Sequence, residues 1–131
     1  MSDITGTDGN DDLTGTPGDD RMRGGGGDDR IRGGEGDDEI SGGGGNDDIS
    51  GGQGNDTIRG GHGNDDINGG EGFDRAVYEG DVSEYDIFVD DQGRLHINDQ
   101  VVDRDGNDRV KEVEEFNFNG EIYTYAELLA L

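Results

Sequence analysis

The chain of 131 residues contains no cysteine. That excludes a disulfide framework, thiolate zinc sites and iron–sulfur clusters. It leaves the compartment open, because a bound metal can staple an extracellular fold as a disulfide does. Tryptophan is absent, proline occurs once, and there are four Tyr and four Phe. Apolar residues make up 26%, low for a globular domain. Basic residues are scarce: 10 Lys and Arg against 34 Asp and Glu, a formal net charge of −24. Low apolar content with high charge is the composition of a disordered chain. Folding therefore requires an external cation or a basic partner, and nucleic acid is disfavoured because its phosphates would be repelled. Long apolar runs are missing. The longest near an end, Leu128–Leu131, is far too short to span a bilayer, so no transmembrane segment is expected. The N-terminal MSDITGTDG has neither the basic region nor the apolar stretch of an ordinary signal peptide. No H-E-x-x-H, G-x-S-x-G or phosphate-binding loop occurs. Carboxylates are plentiful, but ion-bound carboxylates shuttle protons poorly, so an enzyme is not expected.

Glycine is abundant, with 28 residues, and it recurs with a period of nine from Gly6 to Val77. The eight units are GTDGNDDLT, GTPGDDRMR, GGGGDDRIR, GGEGDDEIS, GGGGNDDIS, GGQGNDTIR, GGHGNDDIN and GGEGFDRAV. Positions one and four are Gly in every unit. Position six is always Asp: Asp11, Asp20, Asp29, Asp38, Asp47, Asp56, Asp65 and Asp74. Position eight is always apolar: Leu13, Met22, Ile31, Ile40, Ile49, Ile58, Ile67 and Ala76. Position five is Asn or Asp except at Phe73.

Glycine lets the turn adopt backbone conformations closed to other residues and lets carbonyls crowd around an ion. Positions seven to nine read polar–apolar–polar, a very short strand with one inward side chain. One strand and one tight turn per unit give a flattened coil that closes every two units. Stacked coils lie about 4.8 Å apart, roughly twice a calcium–oxygen bond of about 2.4 Å. A calcium ion therefore fits between successive coils, held by an Asp from each. The remaining ligands expected are the carbonyls of Gly25, Gly27, Gly34, Gly36, Gly43, Gly45, Gly52, Gly54, Gly61, Gly63, Gly70 and Gly72. Without the ion, two carboxylates ~5 Å apart repel by roughly 3 kcal/mol at an effective dielectric near 20. Summed over stacked pairs on the order of six, this exceeds a typical net stability of about 5–15 kcal/mol. The metal-free repeat is therefore expected to be unfolded, with about six Ca2+ ions sandwiched in the folded array.

These units resemble the RTX, or haemolysin-type, calcium-binding family, whose signature is GGxGxDxUx with U a large apolar residue. The resemblance implies an all-β parallel β-roll with calcium between turns. It also implies export by a type I secretion machinery, with the chain unfolded in a calcium-poor cytosol and folding once secreted. End units depart from the signature: Thr7 and Thr16 stand at position two, Pro17 at position three and Ala76 at position eight, so weaker sites are expected at both ends.

The composition shifts at Tyr78, dividing the chain into a roll (1–77) and a C-terminal capping and secretion-signal segment (78–131). All four Tyr and three of the four Phe lie in the second part. YDIFV (85–89) and RLHI (94–97) flank DDQG as a hairpin, and VVD (101–103) is a candidate to pair next. EEFNFNGEIY (114–123) contains the hairpin signal Asn119-Gly120. Thr124-Tyr-Ala-Glu127 is a capping box opening a short terminal helix, Tyr125–Ala130. AVYEG, EYDI, DGNDRVKEVEEFNF and AELLAL resemble segments that follow RTX arrays. The simplest role for a mostly-β tail is to cap the last coil. Asp105 and Asp108 are candidates for a further ion, with a solvated polar turn the simpler reading. His62 and His96 lack partners for a zinc site. Arg21, Arg23, Arg30 and Arg32 point outward and suit a solvated face better than an anion or polysaccharide patch. A monomer is expected. An adhesive or carbohydrate-binding module, and the C-terminal piece of a larger RTX enzyme or toxin, are the alternative readings.

Overall fold

The computed structural model describes residues 2–101 and 104–131. The period of nine folds as expected into a parallel β-roll. Nine short strands come from the repeat region: β1 Ser2–Thr5, β2 Asp12–Thr14, β3 Asp20–Arg23, β4 Arg30–Arg32, β5 Glu39–Ser41, β6 Asp48–Ser50, β7 Thr57–Arg59, β8 Asp66–Asn68 and β9 Arg75–Tyr78. Odd strands pair in parallel in one sheet and even strands in a second, so each full coil takes 18 residues.

The register stacks position eight on itself. Ile4, Met22, Ile40, Ile58 and Ala76 form one inward ladder, and Leu13, Ile31, Ile49 and Ile67 the other. From Met22 to Ala76 these side chains are no more than 1% exposed. A core one residue wide on each side is all that a three-residue strand can supply, since its two neighbours point outward. Ile4 lies before the first full unit yet completes a rung.

The tail extends both sheets. β10 Tyr85–Val89 and β11 Leu95–Asp99 form the expected hairpin. β11 then pairs antiparallel with β12 Asn107–Lys111, and β12 runs parallel to β8 with Val110 on Ile67. β13 Glu115–Phe118 runs parallel to β9 and turns back into β14 Glu121–Thr124. The turn residues Asn119 and Gly120 both have positive φ, 51° and 91°, as a tight hairpin turn requires. The expected capping box is present: Thr124 Oγ1 accepts from the Glu127 N–H at 3.2 Å and opens α1, Tyr125–Leu129. Phe116 sits beside Ala76 in the ladder, so a large side chain follows the smallest one. Tyr78 stacks on Phe118 with ring centroids 5.0 Å apart, and Tyr85 meets Phe118 edge-on at 4.9 Å, closing the end of the core. Of the segment 101–103, Val101 lies in a bend, while Val102 and Asp103 lie outside the described residues.

Candidate metal centre

From Asp29 to Asp74, each position-six carboxylate bridges two coils. Its Oδ1 accepts a hydrogen bond from the backbone N–H of the position-six residue one coil earlier. Asp29 accepts from Asp11 at 2.8 Å, Asp47 from Asp29 at 2.9 Å and Asp65 from Asp47 at 2.9 Å. In the other column Asp38 accepts from Asp20 at 2.8 Å, Asp56 from Asp38 at 2.8 Å and Asp74 from Asp56 at 2.9 Å. Position five forms a second ladder running the opposite way, which the sequence reading did not assign. There the side-chain oxygen accepts from the next coil, as Asn46 does from the Asn64 N–H at 2.8 Å.

The other oxygen, Oδ2, has no such partner. In Asp29, Asp38, Asp47, Asp56, Asp65 and Asp74 it is buried without a hydrogen bond among the described residues. These residues are 0–3% exposed. Glycine geometry shows what surrounds it. A Cβ placed on Gly24 would lie 2.5 Å from Asp29 Oδ2 and 2.5 Å from the Gly42 carbonyl of the next coil. On Gly33 it would lie 2.6 Å from Asp38 Oδ2 and 2.5 Å from the Gly51 carbonyl. A carboxylate and a carbonyl oxygen thus converge beside position one, where only glycine leaves room. Positions two and four hold the left-handed turn, as at Gly43 (φ 89°) and Gly45 (φ 86°).

Anionic and carbonyl oxygens gathered in a dry cleft form a donor set for a hard divalent cation. Calcium fits it: it takes oxygen ligands only and satisfies orphaned lone pairs that would otherwise cost a full desolvation penalty. The electrostatics of the cleft agree. Burial foremost, then neighbouring carboxylates, pushes the Asp38 and Asp47 carboxyls up to about 6. Asp56, Asp65 and Asp74 are raised for the same reasons. No cluster of three or more His, Cys, Asp or Glu side chains with metal-site geometry occurs among the described residues. That is consistent with sites built from one or two carboxylates completed by backbone oxygens.

The first two units differ, and Thr explains why. Thr16 donates its N–H to Asp20 Oδ2 at 2.7 Å and its hydroxyl to Oδ1 at 2.8 Å; Thr7 does the same for Asp11. Burial raises the Asp20 carboxyl, but the Thr16 and Ser2 hydrogen bonds together outweigh it and leave its pKa lowered. Of the backbone ligands expected from sequence, the position-two carbonyls of Gly25 and Gly34 accept from Gly44 and Gln53 N–H at 2.9 Å. Position-four carbonyls such as Gly27 and Gly36 carry no hydrogen bond among the described residues. The position-one carbonyls, which lie with Oδ2 beside the same point, were not among the ligands expected from sequence. Their signal was the invariance of Gly at that position.

A family model described as the RTX calcium-binding nonapeptide repeat, four copies, matches residues 5–40 and again 41–76, together 72 of the 131 residues. The chain belongs to the RTX calcium-binding nonapeptide repeat family. Comparison with curated proteins gives no match. Among solved structures, the RTX chain is similar to the AlgE6R3 subunit of the mannuronan C5-epimerase from Azotobacter vinelandii. The identity is 28% and the TM-score 0.59, covering 80% of this chain and 72% of that one.

The RTX pattern continues in space beyond the family match. Asp105 and Asp108 do not lie in a solvated polar turn, as the sequence suggested; they are 5% and 1% exposed. Asp108 Oδ1 accepts from the Asp65 N–H at 2.8 Å, and its Oδ2 is buried without a partner among the described residues, as in the RTX units. Gly106 has φ 73°, and the Asn107 N–H donates to Asn64 Oδ1 at 3.0 Å, continuing the position-five ladder. Glu114 closes the other column by accepting from the Asp74 N–H at 2.8 Å. Asp105 binds within the cap, accepting from the Tyr85 hydroxyl and the Glu79 N–H. His62 is exposed. His96 pairs with Asp90 at 2.7 Å and stacks on Phe88, and neither histidine belongs to a group of three or more metal-ligating side chains among the described residues. Arg23, Arg30 and Arg32 are exposed and Arg21 half-exposed, with Arg23 and Arg32 pairing with Asp3 and Asp12.

Proposed function

We propose that this RTX chain is a non-catalytic module that couples folding to calcium, staying open where calcium is scarce and closing into the roll where it is plentiful. The observation that carries this reading is the file of buried, partnerless Oδ2 atoms from Asp29 to Asp74. The position-six carboxylates and the carbonyls lining the same cleft are the ligands, with about six ions for the array. Folding and metal binding then share one free energy, as in other small metal-dependent domains. Such a chain suits export through a type I machinery in the unfolded state and folding outside the cell. Residues 1–77 act as the sensor and residues 78–131 as a cap that closes the open end. Among the described residues no helix is long and apolar enough to cross a membrane.

Similarity to a repeat subunit of an epimerase favours a second reading, in which the module serves a larger enzyme that it helps to fold or position. Far-UV circular dichroism during a calcium titration, beside a magnesium control, tests the shared core of both. Strand signal should rise with calcium and not with the same magnesium concentration, because the smaller ion keeps its waters and demands strict octahedral geometry. A spectrum indifferent to calcium would refute the reading.

A further inference from the structure

We propose that the cap itself supplies a calcium ligand, Asp108, and that an ion held between Asp65 and Asp108 joins cap to roll. The inference rests on the reading of the repeat carboxylates as calcium ligands and extends it to a residue that lies outside the family match.

The sequence offers no continuous repeat here. Consecutive RTX coils place position six 18 residues apart, whereas Asp108 follows Asp65 by 43. The extra 25 residues hold the β10–β11 hairpin, after which the chain re-enters the roll in register. Gly106-Asn107-Asp108-Arg109-Val110-Lys111 then occupies positions four to nine of a ninth unit. Arg109 pairs with Asp66, Val110 with Ile67 and Lys111 with Asn68.

Independent features point to a ligand at this place. Asp108 is 1% exposed, and among the described residues its Oδ2 lacks a partner, as does Oδ2 of Asp65. Two buried carboxylates stacked across one rung repeat the carboxylate arrangement of the inner coils. The Tyr78 hydroxyl is also buried without a partner among the described residues and lies in the field of Asp108, Asp105 and Asp65. No Arg or Lys pairs with Asp65 or Asp108 among the described residues. A mobile cation supplies the positive charge that the fold does not.

The position makes the ion a coupling device. Asp108 is on β12, which connects the last even strand of the roll to the cap hairpin. Losing the ion would loosen this junction first and leave the inner coils loaded.

The test uses calcium itself and terbium(III) as a luminescent stand-in. All four tyrosines lie at or beyond residue 78, so tyrosine-excited terbium emission reports ions near the cap. The wild-type chain should show this emission. Terbium bound, as seen by direct excitation, without tyrosine-excited emission would overturn the proposal while leaving the repeat sites intact. Asp108→Asn keeps an oxygen for the Asp65 N–H and removes the charge. It should bind one calcium fewer by equilibrium dialysis and lose part of the tyrosine-excited emission, while Asp29→Asn loses an ion and keeps the emission. Equal ion counts in Asp108→Asn and wild type would also overturn it. A wild-type chain that binds no calcium would instead refute the reading of the repeats.

Discussion

Replacing Asp47 by alanine removes a carboxylate from the middle of one column. Its Oδ1 accepts from the Asp29 N–H at 2.9 Å in the coil before, while Oδ2 lies buried with no hydrogen-bond partner. Loss of a charge-assisted hydrogen bond that leaves a buried N–H unpaired costs roughly 1.5–3 kcal/mol. The loss of a side-chain ligand adds to this, so about 3 kcal/mol is a floor. With about six ions taken up together, each tenfold change in free calcium shifts folding by about 8 kcal/mol. The calcium midpoint of the circular dichroism transition should therefore rise at least about twofold. Asp47→Asn, which keeps an acceptor for Asp29, should shift it less. Asp48→Ala, at the exposed neighbouring position, should leave it unchanged. If Asp47→Ala and Asp48→Ala give the same midpoint, the carboxylate is not a ligand and the reasoning fails.

Acid should partly replace calcium. The Asp38 and Asp47 carboxyls, raised by burial from 3.8 to about 6, bind protons more tightly in the metal-free fold than in the open chain. Their contribution is fully present below the ordinary carboxylate pKa and is lost as pH rises through about 6. Chelator-treated protein should thus show more strand signal at a pH near 4 than above 7; a flat profile would contradict this. Gly33→Ala would drive a Cβ against Asp38 Oδ2 and the Gly51 carbonyl, whereas Gly44 has nothing within 4 Å of the same point. Melting in saturating calcium should show Gly33→Ala destabilised by at least ~1–3 kcal/mol and Gly44→Ala close to wild type. Thr16→Ala removes the hydroxyl bond to Asp20 and should lower stability by roughly 1–2 kcal/mol at fixed calcium, read by the same melts.

The roll was legible because its information is local and repeated. Position eight announces the core, position six the ion and positions two and four the turn, each within a window of nine residues. The cap hairpins and terminal helix were legible for a similar reason, since Asn119-Gly120 and Thr124–Glu127 are short-range signals. Asp108 was misread because its role is non-local. Gly106-Asn107-Asp108 repeats Gly45-Asn46-Asp47, with Val110 in the place of Ile49, but the hairpin insertion breaks the period that gave the other units their meaning. Glu114 was hidden the same way, carried to the end of the second column by β13 pairing with β9. The protection of Asp11 and Asp20 by Thr7 and Thr16 was missed in its mechanism: the sequence marked those units as weak, and the structure shows hydroxyls and amides standing where an ion would be needed.

Small-angle scattering of the whole chain, in millimolar calcium and again after chelation, measures the central claim directly. A compact chain of this length has a radius of gyration of about 14 Å and an unfolded one about 37 Å. The radius should lie near the first value with calcium and near the second without it, and return on adding calcium back. A chelated chain that keeps its compact radius at neutral pH would contradict it.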